Sequence, residues 1–182
     1  DAGAEYQGYA SDITRTFPVN GTFSEAQAEL YQLVLDAQTA AIAAVQPGNH
    51  WDQPHMAAVK VLTKGMVKLG ILKGLPAQLI KDGAYRQFYM HRTGHWLGLD
   101  VHDVGDYKVA EQWRLFEPGM VLTVEPGIYI ADKSRGVPKR YWNTGIRIED
   151  DVRVTRTGHE VITSGMVKEM ADIEQLMASG RT

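Results

Sequence analysis

Three acidic residues lie in segments whose composition is otherwise typical of β-strands. They are Asp12 in YASDITRTF, Glu125 in VLTVEPGIY and Glu149 in GIRIEDD. Strands contain few acidic residues, and a buried carboxylate is costly unless it is paired or bound to a cation. A fold that accepts all three must therefore bring positive charge to them. Because the chain has no cysteine, only oxygen and imidazole donors remain for a metal.

Histidine is concentrated in one segment of the chain. His91, His95 and His102 lie in MHRTGHWLGLDVHD, and the whole chain has 6 histidines. Imidazole and carboxylate together suit Mn, Fe, Co or Zn, and a site rich in carboxylates favours Mn or Co over a structural zinc. Several carboxylates can also bridge two ions about 3.5–4 Å apart, which activate water and polarise a carbonyl group. The residues thus predict a site for two divalent metal ions.

Each of these residues taken alone also has an ordinary structural explanation. Asp12 would fit the cap of a strand end, Glu125 a turn, and Glu149 an ion pair with a nearby arginine. His95 would fit a hydrogen-bonded histidine of the core, and Asp1 a solvated side chain. The two outer histidines would fit the polar wall of a pocket. The complete set is far more specific than its members.

The cap and stop signals and the spacing of apolar residues predict helices over residues 24–45, 52–69, 76–82 and 170–177. The first is the clearest, because Ser24 and Gln27 form a capping-box sequence and Pro47-Gly48 ends the pattern.

Alternating residues predict strands over 9–19, 120–130 and 145–155, and a shorter alternation at Leu97, Leu99 and Val101. Residues 1–4 would pair with the first strand in a hairpin centred between Tyr6 and Gln7, with Asp1 opposite Asp12. Helices followed by strands with short turns predict an α+β fold with a mainly antiparallel sheet.

Charge and hydropathy exclude two classes of partner. The net charge of −3 gives no basic surface for nucleic acid, and no apolar run approaches the about 20 residues that a membrane helix needs. The absence of cysteine fits a reducing compartment, so we expect a cytoplasmic protein. The chain starts at Asp1 without a methionine, and we expect it to be a piece of a longer protein.

Four motifs resemble the catalytic domain of the Xaa-Pro aminopeptidase (aminopeptidase P) family. They are, in chain order, ASDITRTFPVNG, HWLGLDVHDVG, FEPGMVLTVEPGIYI and GIRIEDD. The resemblance covers essentially the whole chain and implies the pita-bread fold shared with methionine aminopeptidase, prolidase and creatinase. In that fold a curved, mainly antiparallel sheet is flanked by helices. We therefore expect one partial catalytic domain over residues 1–182, incomplete at its N-terminus.

The resemblance implies five metal ligands, namely Asp1, Asp12, His95, Glu125 and Glu149. By position, Asp12 and Glu149 resemble the carboxylates that bridge both ions. Asp1 resembles a ligand of one ion, and His95 and Glu125 resemble ligands of the other.

Catalytic roles follow from the same resemblance. Glu125 would also be the general base that takes the proton from the attacking water. His102 would donate to the carbonyl oxygen of the scissile bond, and His91 would contact the proline side of the substrate. Arg147 would hold the carboxylates ionised and oriented. Arg147 and Glu149 are two residues apart on a predicted strand, so they can share a face whatever the family.

The implied reaction is release of the first residue from a peptide whose second residue is proline, by a water that bridges two divalent metal ions. We expect manganese, with cobalt, zinc or iron as alternatives, and a homo-oligomer in the full-length protein. The complete ligand set argues against creatinase, and the short segment between Gly105 and Gly119 argues against prolidase. An Xaa-Pro dipeptidase remains an alternative, as does an inactive fragment or a module that only binds proline-containing peptides.

Overall fold

The structure, a computed structural model, describes residues 1–180 and contains helices and short antiparallel strands. The helices are α1 (Glu25–Ala43), α2 (Asp52–Lys68), α3 (Pro76–Lys81) and α4 (Met170–Ser179). The strands are β1 (Glu5–Tyr6), β2 (Tyr9–Ala10), β3 (Lys108–Val109), β4 (Gln112–Trp113), β5 (Val121–Val124), β6 (Gly127–Ile130), β7 (Thr144–Arg147), β8 (Asp150–Val154) and β9 (His159–Val161). Their order is β1–β2, β3–β4, β5–β8–β9 and β6–β7, and every pairing is antiparallel. The predicted α+β class is confirmed.

Helix α1 begins where its sequence predicts. The Ser24 hydroxyl accepts the Gln27 backbone N–H at 3.3 Å, and the Gln27 side chain accepts the Ser24 N–H at 2.9 Å. Such a cap stabilises a helix by about 0.5–2 kcal/mol. All four predicted helices are present, and their ends agree with the prediction to within about two residues.

Helices α1 and α2 pack against each other, and α1 also packs on β5, β6 and β7. Their close approach depends on Gly65, since a Cβ at this position would collide with the Leu33 side chain. Leu30, Val34 and Leu62 are almost fully buried in the shared core. This core supports the strands that carry the candidate site.

The strands predicted over 120–130 and 145–155 are each interrupted. The pairing of β5 with β8 ends at Val124 and Asp150, and the pairing of β6 with β7 resumes at Gly127 and Arg147. The break falls at Pro126, which has no N–H to donate to a ladder. Since the register is the same on both sides of the break, Glu125 lies opposite Glu149.

The predicted register of the N-terminal hairpin is wrong. Pairing of Tyr6 with Tyr9 and of Ala2 with Ile13 centres the turn between Gln7 and Gly8, so Asp1 does not lie opposite Asp12. Gln7 and Gly8 both have positive φ, 52° and 84°, as the favoured two-residue hairpin turns require. Glycine therefore fixed the turn one residue later than the alternation suggested.

Two other predicted strands are shorter than expected or missing. In the segment 9–19 only Tyr9–Ala10 is a strand. Ser11 and Ile13 still pair with Ala4 and Ala2, whereas Thr14 and Thr16 bond to the segment around Glu149. The alternation at Leu97, Leu99 and Val101 is not a strand: Leu97 is buried, whereas Leu99 and Val101 are exposed in a loop. Within residues 1–180, no helix has the length and apolar character needed to cross a membrane.

Candidate metal centre

All predicted site residues line one open cleft with a volume of about 680 Å³. They are Asp1, Asp12, His91, His95, His102, Glu125, Arg147 and Glu149. The cleft is also lined by Arg92, Gly94 and Tyr107, which the sequence reasoning did not single out.

The centre of the cleft contains a compact group of potential ligands. Within residues 1–180, Asp12, His95 and Glu149 each offer one ligand atom, and these atoms lie within 4.8 Å of one another. Asp12 and Glu149 are buried, at 8% and 2% exposure. Glu125 lies next to the group, with its Oε1 3.7 Å from His95 Nε2.

The hydrogen bonds of His95 favour a cation at this point. His95 Nδ1 lies 2.9 Å from the Trp96 carbonyl oxygen, which can only accept, so Nδ1 carries the hydrogen. In the neutral ring Nε2 then presents its lone pair to Asp12 Oδ2 at 3.4 Å and to Glu125 Oε1 at 3.7 Å. Three electron-rich atoms facing one another repel unless a cation lies between them, and metal-binding histidines are typically oriented in this way. The residues therefore fit a divalent ion.

A short backbone pairing brings His95 to Glu125. Thr123 N–H donates to the His95 carbonyl at 3.0 Å, and Glu125 N–H donates to the Thr93 carbonyl at 2.8 Å. Gly94 lies between these two bonds, and a Cβ there would collide with the Thr123 carbonyl oxygen. The glycine therefore allows the histidine loop to lie against the end of β5.

Burial also changes how the carboxyl groups ionise. It raises the pKa of Glu125 to about 7, an effect that Arg147 opposes and Asp12 reinforces. Burial likewise raises the pKa of Glu149 to about 7, where a hydrogen bond from Thr14 opposes the rise and the charges of Glu125 and Asp12 add to it. A bound cation would favour the ionised forms.

Asp1 reaches the cleft but has a different partner. Its Oδ2 accepts a hydrogen bond from Arg147 Nη2 at 2.5 Å, and its side chain is 56% exposed. Its carboxylate lies outside the group formed by Asp12, His95 and Glu149. The assignment of Asp1 as a ligand stays a prediction.

The outer histidines lie on the wall of the same cleft. His91 Nδ1 is 2.7 Å from the Arg92 carbonyl oxygen, so His91 Nε2 accepts the hydrogen bond from the Tyr129 hydroxyl at 2.8 Å. Burial lowers the pKa of His91, which favours this neutral ring. The exposed His102 ring meets the His95 ring edge-on, with centroids 4.2 Å apart.

Thr14 is among the residues that the sequence reasoning missed and that contact a predicted ligand directly. The buried Thr14 hydroxyl donates to Glu149 Oε2 at 2.5 Å. Its position two residues after Asp12 was an available signal, because alternate residues of an extended segment share a face.

A cleft that joins carboxylates and imidazoles can hold divalent metal ions, and metal-assisted hydrolysis is one chemistry that such ions support. The family model described as "Metallopeptidase family M24" matches residues 1–156 of the chain. The chain therefore belongs to this family.

Individual relatives agree with this assignment. The Xaa-Pro aminopeptidase of Haemophilus influenzae is 55% identical over 177 residues, covering 97% of this chain and 41% of the relative. The structure of Pseudomonas aeruginosa aminopeptidase PepP matches with a TM-score of 0.96 at 56% identity, covering 97% of this chain and 40% of that one. Zn-substituted Escherichia coli aminopeptidase P in complex with product matches with a TM-score of 0.93 at 50% identity, covering 98% of this chain and 40% of that one.

These matches confirm the resemblance and the pita-bread fold that it implied. They also fix the size relation, because the chain spans 41% of the length of its curated H. influenzae relative.

Proposed function

We propose that this chain carries the catalytic centre of an aminopeptidase. The enzyme would hydrolyse the bond between the N-terminal residue of a peptide and a proline at the second position. The observation that carries the proposal is the convergence of all predicted site residues on one cleft. These residues come from distant parts of the sequence, from Asp1 to Glu149. The similarity to Xaa-Pro aminopeptidases along 97% of the chain supports the substrate class.

The ligand set of the proposal is Asp1, Asp12, His95, Glu125 and Glu149, with Asp12 and Glu149 as bridging carboxylates. Four carboxylates and one imidazole favour two ions of the manganese type, with cobalt, zinc or iron as alternatives. When bound, the ions would polarise the scissile carbonyl and make a water molecule acidic enough to attack near neutral pH. Asp1 would exchange its contact with Arg147 for a place among the ligands.

Glu125 is the proposed general base. In the metal-free protein burial raises the pKa of its carboxyl group to about 7, and a bound cation would favour the carboxylate form, which can accept a proton. Its Oε2 lies 3.9 Å from His91 Nδ1, and its Oε1 faces His95. Glu125 would accept the proton of the attacking water and pass it to the leaving proline nitrogen.

The outer histidines bind the substrate in this proposal. His102 would donate to the carbonyl oxygen of the scissile bond as negative charge develops there. His91, held by Tyr129 at 2.8 Å, would contact the proline side. Arg147 would keep the surrounding carboxylates ionised, since it contacts Asp1 directly and lies 3.9 Å from Glu149 Oε2.

Proline at the second position suits such a site. The peptide bond before proline is a tertiary amide without an N–H, so an enzyme cannot hold it through that donor. A site that holds the carbonyl oxygen and the free amino group instead is not affected by this loss. The protein would thus act on small peptides, and we further propose a cytoplasmic location and a homo-oligomeric full-length form.

The test compares two substrates in the Mn²⁺-loaded full chain. Faster release of the first residue from an X-Pro-Y tripeptide than from an X-Pro dipeptide would support the aminopeptidase. A strict preference for the dipeptide would support a prolidase instead. If the chain binds no metal and cleaves no peptide, it is an inactive fragment. If it binds the peptide but binds no metal and does not cleave, it is a binding module.

A further inference from the structure

A threonine hydroxyl lies between the arginine and the most buried carboxylate of the cleft. Arg147 Nε donates to Thr14 Oγ1 at 3.1 Å, and Thr14 Oγ1 donates to Glu149 Oε2 at 2.5 Å. The direct separation of Arg147 Nε and Glu149 Oε2 is 3.9 Å, which is too long for a hydrogen bond. The hydroxyl therefore connects two groups that do not reach each other.

The direction of this connection is fixed by chemistry. The guanidinium group of arginine can only donate, so Thr14 Oγ1 must accept from Arg147. A hydroxyl has one hydrogen, and that hydrogen is then available only for Glu149. A hydrogen bond whose acceptor is ionised is about twice as strong as a neutral one, so the arrangement favours the carboxylate form of Glu149.

The surroundings hold Thr14 in place. Glu149 N–H donates to the Thr14 carbonyl at 3.1 Å, so the two residues are also joined through their backbones. Arg15 Nη1 donates to the carbonyl oxygens of both Thr14, at 2.9 Å, and Glu149, at 2.6 Å. Thr14 and Glu149 are 6% and 2% exposed, which leaves water little access to replace the hydroxyl. Branching at Cβ further restricts the threonine side chain.

We propose that Thr14 is a positioning residue for the metal centre, relaying a hydrogen bond from Arg147 to Glu149 so that this carboxylate meets the two ions in a fixed orientation. The proposal rests on the proposed function, because it assigns Glu149 as a bridging ligand. In this role Thr14 would act through Glu149, to which its hydroxyl donates.

The decisive variant is Thr14→Val, which keeps the branched shape and removes the hydroxyl. Thr14→Ser keeps the hydroxyl and serves as the rescue. The matched control is Thr63→Val, because Thr63 is fully buried in α2 and its hydroxyl has no hydrogen-bond partner among the described residues.

The measurement is Mn²⁺ affinity of the full chain by isothermal titration calorimetry, with kcat and KM on an X-Pro-Y tripeptide as the second readout. Loss of a partner that orients a ligand typically weakens metal binding by about 10–100-fold. We expect Thr14→Val to lose at least about tenfold in Mn²⁺ affinity and to lower kcat more than it changes KM. The Mn²⁺ affinity and kcat of Thr14→Ser should stay within a few-fold of those of wild type. Thr63→Val should have the same values as wild type.

The outcomes separate this relay from the proposed function. Wild-type Mn²⁺ affinity in Thr14→Val, or equal losses in Thr14→Val and Thr14→Ser, would overturn the relay and leave the proposed function intact. If wild type binds Mn²⁺ tightly but cleaves no peptide, the proposed function is wrong. The Mn²⁺ affinities of the Thr14 variants would then decide by themselves whether Thr14 positions Glu149. Failure of wild type to bind Mn²⁺ would overturn both.

Discussion

Glu125 lies directly opposite Glu149, at the break where the chain passes from one pair of strands to the next. Like charges directly opposite each other destabilise an antiparallel pair. Both groups are buried enough for their pKa values to rise to about 7. The pair therefore destabilises the folded protein unless protons or cations neutralise its charge. The resulting dependence of stability on pH and on metal can be measured.

The metal-free protein should lose stability as the pH rises through this pair. Both pKa values are raised in the folded state, so the folded protein binds these protons more tightly than the unfolded chain does. Their contribution to stability is present below about pH 4.5 and is lost as the pH rises to about 7. Scanning calorimetry between about pH 5 and pH 8 should show a decline that Glu149→Gln reduces.

Two controls belong to this experiment. Burial lowers the pKa of His55 to about 4, so this residue titrates with the opposite sign, and the slope must be compared between wild type and Glu149→Gln. Added Mn²⁺ should remove the decline of stability with rising pH. The affinity of the protein for Mn²⁺ should rise over the same pH range, because binding of the ion displaces protons. A wild-type slope equal to that of the variant would contradict the assignment.

Glu125→Gln should abolish most of the turnover. The amide keeps the shape of the side chain but cannot accept the proton, and general bases typically contribute about 10²–10⁴-fold to a rate. The measurement is kcat on an X-Pro-Y tripeptide at saturating Mn²⁺. Glu117→Gln is the matched control, because Glu117 is exposed and its ion pair with Arg114 at 3.6 Å lies on the surface. Near-normal turnover in Glu125→Gln would refute the general-base role.

Gly94→Ala should displace the His95 loop from the end of β5. The added Cβ would collide with the Thr123 carbonyl oxygen, and overpacking of this kind costs about 1–3 kcal/mol. Thermal unfolding should show a lower stability, and Mn²⁺ titration should show a lower affinity for Mn²⁺. Gly158→Ala provides the comparison, since a Cβ at Gly158 has open space around it. Equal behaviour of the two variants would show that the close approach at Gly94 is unimportant.

Asp150→Asn should destabilise the protein, although Asp150 itself does not line the cleft. Asp150 is fully buried and pairs with Arg15 at 2.7 Å and Lys168 at 2.6 Å. Removing one partner of a buried ion pair leaves uncompensated charge and costs about 3–5 kcal/mol. Urea unfolding measures the loss in free energy.

The corresponding surface substitution is Asp132→Asn. Asp132 pairs with Lys133 at 3.8 Å, and both side chains are mostly exposed, so the change should stay within about 0.5 kcal/mol. A similar small effect for Asp150→Asn would mean that the buried network is dispensable.

The helices could be predicted because their signals are local. The capping box of Ser24 and Gln27 formed as expected. The strands were harder, because their lengths depend on partners far away in the sequence. The interruption at Pro126 could have been anticipated from the missing N–H, whereas the pairing of residues 14–16 with the segment around Glu149 has no local signal.

The residues that line the cleft could be predicted from the sequence, but their contacts with one another could not. All predicted residues reached the cleft, since their chemistry and order were visible in the motifs. The pairing of Asp1 with Arg147 was not foreseen, because it depends on where the hairpin register places Asp1. The Thr14 hydrogen bond was not foreseen, because it depends on the pairing of Thr14 with the distant Glu149. The turn at Gln7 and Gly8 moved that register away from the predicted one.

The bond between Thr14 and Glu149 joins residues 135 positions apart. Closing a loop of that length must precede any ordered placement of Asp12 beside Glu149, and its entropic cost rises only slowly with length. Contacts of such high sequence separation nevertheless slow folding. With the proposed ligand set, a chain emerging during synthesis would be unable to complete the metal site until Glu149 has been made. The proposed ions would then bind only after these distant residues have come together.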